Sequence, residues 1–114
     1  MDDNNIYSLE FLPSALQDMT EIISSFIMCG SKQGAVRIKE KFNNAATQIQ
    51  TFPYSGLKIP DDKLSKSEFR MIIIEKYLMF YKVFEDERKI IVYHVFNGTR
   101  DYPSLMKRIT DPNE

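Results

Sequence analysis

A few side chains in this sequence have the types and surroundings that chemistry needs. His94 is the only histidine and lies in the apolar run Lys89–Phe96. Strand alternation puts it on the face of Val92 and Phe96. An imidazole titrates near neutrality and, as a general acid or base, contributes about 10²–10⁴-fold in rate; the other reading is a packed, hydrogen-bonded strand histidine. Arg70 interrupts the apolar run Phe69–Ile74. Either it caps the sheet edge or pairs with Glu68, or its guanidinium fork faces a phosphate. Arg100 follows Asn97-Gly98-Thr99. It pairs with Asp101, or it is a functional group on a loop held by a rigid sheet.

Tyr77, Tyr81, Tyr93 and Tyr102 fall close together in the last third of the chain. They form core, or a stacking platform whose neighbouring cations are Arg70, Lys82 and Arg100. Cys29 is distant in sequence from His94, so it reads as an inert thiol at a helix end or as half of a Cys–His nucleophile pair. One cysteine and one histidine do not make a zinc site. There is no phosphate-binding loop, dinucleotide glycine fingerprint or nucleophile elbow. No metal and no cofactor are expected.

The 114 residues fit a single domain spanning 1–114, and 43% hydrophobic with 27% charged residues is a globular balance. The formal charge is -1, so no global basic field draws the chain to a polyanion. Lys32, Arg37, Lys39 and Lys41 against Glu40 alone make one local basic stretch, read as a solvated helix face or a basic helix. A lone cysteine forms no internal disulfide, and the acidic start Met1-Asp2-Asp3 is no signal peptide. No apolar run reaches the length of a membrane span. The expected location is the cytoplasm.

The elements that would position these groups are legible from periodicity. Ile6–Phe11 alternates as a half-buried strand, with Tyr7, Leu9 and Phe11 on one side. Pro13 opens a helix to Met28, with Leu16, Met19, Ile22, Ile23, Phe26 and Ile27 as its apolar stripe. Gly30 stops it and Ser31 caps the next helix. That helix runs from Lys32 to Thr51 on the stripe Ala35, Ile38, Phe42, Ala45, Ile49 and Phe52. The short link predicts an antiparallel helical hairpin. Lys58–Ser67 reads as an exposed loop. Three strands follow, Phe69–Ile74, Tyr77–Phe84 and Lys89–Phe96, then a helical turn or two in Tyr102–Ile109. The expected class is α+β, order β-α-α-β-β-β, with the hairpin on one face of a small, mostly antiparallel sheet. The strands are apolar on both sides, so the second face also needs a cover.

This order and several short motifs resemble the RelE/ParE superfamily of type II toxin–antitoxin toxins, the plasmid stabilisation family. The matching pieces are Tyr7-Ser8-Leu9-Glu10-Phe11-Leu12-Pro13-Ser14-Ala15, Phe52-Pro53-Tyr54-Ser55-Gly56, Phe69-Arg70, Tyr77-Leu78-Met79-Phe80-Tyr81-Lys82-Val83 and Val95-Phe96-Asn97-Gly98-Thr99-Arg100-Asp101-Tyr102. The resemblance implies a bacterial growth inhibitor neutralised by a cognate antitoxin, whose ordered tail would cover the second sheet face. Tyr77, Tyr81, Lys82 and Tyr102 are the candidate contacts for antitoxin or target.

The superfamily divides by target. RelE-like members cut mRNA on the ribosome with a set of cations on the sheet. Carried over, the first falls on Arg70 and keeps its charge; the next two fall on Ile72 and near Leu78 and lose it. The position after the last strand falls on Arg100. A terminal tyrosine falls near Met106, with Tyr102 one turn away. Each lost donor removes about 3–4 kcal/mol of transition-state stabilisation. If the chain is an RNase, Arg70, His94 and Arg100 are its catalytic candidates. ParE-like members poison DNA gyrase through protein contacts and need no such set. The long hairpin, the poor cation set and the balanced charge favour gyrase over ribosome and mRNA.

Overall fold

A computed structural model describes residues 6–59 and 68–99. The predicted helical turns in Tyr102–Ile109, together with Arg100 and Tyr102, lie outside the described residues. Strand β1 is Ser8–Phe11, helix α1 Pro13–Met28 and helix α2 Lys32–Thr51. Leu12 is held extended before Pro13, at φ −66° and ψ 156°, as a residue before proline prefers. At the other end Gly30 takes φ +84°. The Ser31 amide donates to the Phe26 carbonyl at 2.8 Å, a left-handed helix stop. Ser31 then caps α2, its Oγ accepting from the Gly34 N–H at 3.0 Å. Gly34 brings the helices close, since a Cβ there would lie 2.6 Å from the Phe26 ring.

The α2 stripe packs as its spacing predicts. Ala35, Ile38, Phe42, Ala45 and Ile49 are buried. Phe52 is instead exposed, because the helix ends before it. On α1 the predicted stripe is too wide. Met19, Ile22, Ile23 and Phe26 pack on the core, but Leu16 and Ile27 remain exposed. The structure supplies neighbours to only one side of this helix.

A short 3-10 turn, Pro53–Ser55, leads into β2 (Leu57–Lys58); β3 is Arg70–Ile74, β4 Tyr77–Phe84 and β5 Lys89–Asn97. The strand β2 corrects part of the predicted loop, for Lys58 pairs with Arg70 and Leu57 with Met71. Two residues are too short to show a period. The sheet order is β1-β5-β4-β3-β2. β1 runs parallel to β5 and the other pairs are antiparallel. The α+β class and the helical hairpin on a mostly antiparallel sheet are as expected. The hairpin carries the chain from one sheet edge to the other.

Both sheet faces are apolar, as the strands imply. On the helix face Ile38, Phe42 and Ile49 meet Met79, Tyr81, Ile90, Val92 and Val95. The second face holds Ile59, Phe69, Met71, Leu78, Phe80 and Phe96, with Tyr93 against them. At its margin Leu57 and Ile73 are exposed.

One irregularity changes which residues share a face. Tyr81 pairs with Val92, but Phe80 pairs with His94, so Tyr93 is an extra residue in β5. Such a bulge shifts the alternation by one. Val92 therefore faces the helices while Phe96 joins the second cluster. The expectation that His94 shares a face with both is corrected: it pairs across with Phe80 and stacks on Phe96, with ring centroids 4.7 Å apart.

Candidate functional site

Two polar constellations stand out, at opposite ends of β5. The first gathers where β4 turns into β5. Glu85 in that turn accepts hydrogen bonds from the hydroxyls of both Tyr7 and Tyr54. These bonds, Tyr54's first, hold the Glu85 carboxyl below the usual carboxylate range. The same carboxylate pushes the Tyr54 phenol up to about 12, with a smaller contribution from burial. The Arg88 guanidinium lies 4.9 Å from the Tyr7 ring centre.

Arg70 sits beside this group. Its cross-strand partner is Tyr81, a helix-face residue. Its Nη1 donates to the carbonyls of Gly56 at 2.9 Å and Tyr54 at 3.3 Å, and its guanidinium lies 5.0 Å from the Tyr54 ring centre. Arg70 thus ties the 3-10 turn to the sheet. A cleft of about 460 Å³ opens here, lined by Arg70, Lys58, Glu68, Glu85, Asp86 and Glu87 among others. Four carboxylates face two cations, which repels a polyanion.

The second constellation lies where α1 crosses β5. One Asp18 oxygen is 2.7 Å from His94 Nδ1 and accepts the Val95 N–H at 3.0 Å. Ser14 Oγ donates to the Tyr93 carbonyl at 2.7 Å. His94 is therefore hydrogen-bonded within its strand, the contact that its packed-histidine reading describes.

Arg70 and His94 are not brought together. Arg70 starts from the helix face and His94 from the second face, since their cross-strand partners Tyr81 and Phe80 belong to opposite clusters. Tyr77 and Tyr81, expected as partner contacts, are only 5% and 0% exposed. Tyr77 packs edge-on against Phe42. The Tyr81 hydroxyl donates to the Pro53 carbonyl at 2.7 Å and accepts the Gly56 N–H at 2.9 Å. Both are structural, because alternation on β4 turns them toward the helices. Lys82, of opposite parity, is half-buried on the second face. Its ammonium lies 4.6 Å from the Phe69 ring centre and 5.7 Å from that of Tyr93.

Sequence reasoning did not single out Ser14, Asp18, Tyr54 or Glu85. The four-residue spacing of Ser14 and Asp18 on one helix was an available signal. Nothing local marked Glu85, whose partners are 78 and 31 residues away. Among the described residues no cluster of His, Cys, Asp or Glu fits a metal, and no helix is long and apolar enough to cross a membrane. Cys29 is exposed at the hairpin link.

Comparison with known proteins extends this picture. Among solved structures, a chain of the chromosomal ParDE toxin–antitoxin system of P. aeruginosa is similar at a TM-score of 0.65 and 14% identity, over 82% of this chain and 97% of that one. A chain of the RelBE2 toxin–antitoxin complex of Mycobacterium tuberculosis aligns at 0.57 and 12% identity, over 81% and 98%. The isolated RelE toxin of E. coli aligns at 0.52 and 18% identity, over 90% and 98%. At these identities the likeness is one of fold. No curated protein sequence matches significantly. The family model described as the ParE toxin of the type II toxin–antitoxin system parDE matches residues 9–102. The match takes in the helical hairpin and, but for Ser8 at the start of β1, the five described strands, and the chain belongs to the ParE toxin family.

Proposed function

We propose that this toxin arrests bacterial growth by poisoning DNA gyrase through protein contacts, and that a cognate antitoxin neutralises it in the cytoplasm. The observation that carries this reading is the placement of Arg70 and His94 on opposite faces of the sheet. RNA cleavage by general acid–base chemistry needs its cations and its proton-transfer group around one phosphate. Here Arg70 is spent on backbone carbonyls and His94 on Asp18. The carboxylates beside Arg70 also oppose an RNA backbone, whose binding depends on neutralising phosphates.

Lys82, flanked by Phe69 and Tyr93, remains the candidate contact for target or antitoxin among the described residues. Arg100 and Tyr102 keep their candidacy from the sequence. The test is induction of this chain alone in a bacterium, with mRNA ends mapped and DNA breaks scored in one culture. Growth arrest with trapped gyrase–DNA complexes and intact mRNA is expected. Codon-phased mRNA cuts would overturn the reading in favour of a ribosome-dependent RNase using Arg70, His94 and Arg100.

A further inference from the structure

Strand β1 covers only part of its neighbour. It pairs with β5 from Lys89 to Val92 and ends at Phe11, whereas β5 runs on to Asn97. Among the described residues, no strand lies beside the outer edge of β5 past Val92. An edge of this kind offers unpaired N–H and C=O groups that template pairing with another chain.

Here α1 occupies that edge. The Leu12 N–H donates to the Val92 carbonyl at 3.0 Å. Ser14 Oγ then donates to the Tyr93 carbonyl at 2.7 Å, and Asp18 accepts the Val95 N–H at 3.0 Å. The two side chains are four residues apart and share one helix face. Together they give β5 an acceptor and a donor where a strand would have done so.

We propose that Ser14 and Asp18 form an edge clamp, which stands in for a strand along Tyr93–Val95 and blocks strand addition by another chain. The bulge at Tyr93 sets the clamp's spacing along β5. His94 is a positioning residue. Its ring stacks on Phe96, and its Nδ1 lies 2.7 Å from the Asp18 oxygen that receives the Val95 amide. Removing the carboxylate uncovers a buried amide at a pairing-competent edge, and an unmet buried donor seeks a new acceptor.

The test uses the full-length chain and two substitutions. Asp18→Asn keeps an oxygen acceptor for Val95, and Asp18→Ala removes it. Hydrogen exchange is read at the Val95 amide against Met79 in the central strand, and light scattering follows mass over a concentration series. For Asp18→Ala, Val95 exchange should rise about tenfold relative to Met79, with mass climbing more steeply than in the unsubstituted chain. Asp18→Asn should stay within about threefold and show no added association. The proposal is overturned if Val95 keeps its exchange rate in Asp18→Ala, or if Val95 and Met79 accelerate together, because Asp18 would then serve overall stability only. Faster Val95 exchange without added association also overturns it, since the edge would not be a pairing surface. If Asp18→Ala does not fold, Ser14→Ala is read by the same two measures and in the same directions.

Discussion

The Tyr81 hydroxyl and the Gly56 backbone touch so closely that no side chain fits between them. Oη accepts the Gly56 N–H at 2.9 Å, and a Cβ on Gly56 would lie 2.4 Å from that oxygen and 2.9 Å from the Met71 carbonyl. Gly56 has φ −71°, an ordinary value, so close approach rather than backbone freedom requires glycine here. Tyr81→Phe leaves the Gly56 N–H and the Pro53 carbonyl without this partner and should cost about 1–3 kcal/mol. Gly56→Ala should cost about 1–3 kcal/mol through overpacking. Urea unfolding of both variants checks this; a loss below about 0.5 kcal/mol in each would show that the turn repacks freely.

The Tyr7–Glu85–Tyr54 cluster makes stability depend on pH at both extremes. Glu85 is held below its ordinary value by the two phenols. Its contribution is therefore present above about pH 4.5 and lost as pH falls through the lower folded-state value. Tyr54 is shifted the other way, to about 12. Its contribution is full below about pH 10 and is lost as pH rises toward 12. Glu85→Gln should flatten the acid side of the stability–pH curve, and Tyr54→Phe the alkaline side. Unfolding curves from pH 3 to 11 would read both, and unchanged slopes would refute the cluster's role.

Glu75 occupies the turn between β3 and β4 at φ 56°. It pairs with Arg37 and Lys41 of α2, each at 3.0 Å. These cations, Arg37's hydrogen bond first, pull its carboxyl below the usual range. The pairs are largely exposed, and exposed ion pairs are typically worth about 0–1 kcal/mol. A left-handed backbone costs a non-glycine residue about 1–2 kcal/mol. Glu75→Gly should therefore be more stable than Glu75→Ala by about 1 kcal/mol, although both lose the same pairs. Equal denaturation midpoints for the two would show that the turn carries no such strain.

Growth arrest should survive removal of the supposed catalytic groups. Arg70→Gln and His94→Gln remove the cation and the imidazole while keeping a polar side chain. On the gyrase reading, each variant should arrest growth within about threefold of the unsubstituted chain once soluble protein is matched. On the RNase reading, loss of a charge-stabilising group should cut activity by about 10²–10³-fold. Colony counts after graded induction separate these outcomes.

The sequence determined both helices and four of the five described strands, all but the two-residue β2. The proline at α1's start, the glycine at its end and the three-and-four spacing of α2 are local signals, and local signals set helix bounds. The ordered motifs likewise carried the family. Only the tertiary structure decided how the candidate residues face. His94 left the side of Val92 because a bulge at Tyr93 shifts the alternation, and a bulge is set by pairing with β4 rather than by neighbours in the chain. Arg70 and Tyr81 became anchors of the 3-10 turn because β3 and β4 pass beneath Pro53–Gly56. Asp18 gained meaning only through Val95, 77 residues away. Side-chain period is a property of one strand, but the face it turns inward is fixed by its partners' register, and a shift of one residue reverses it.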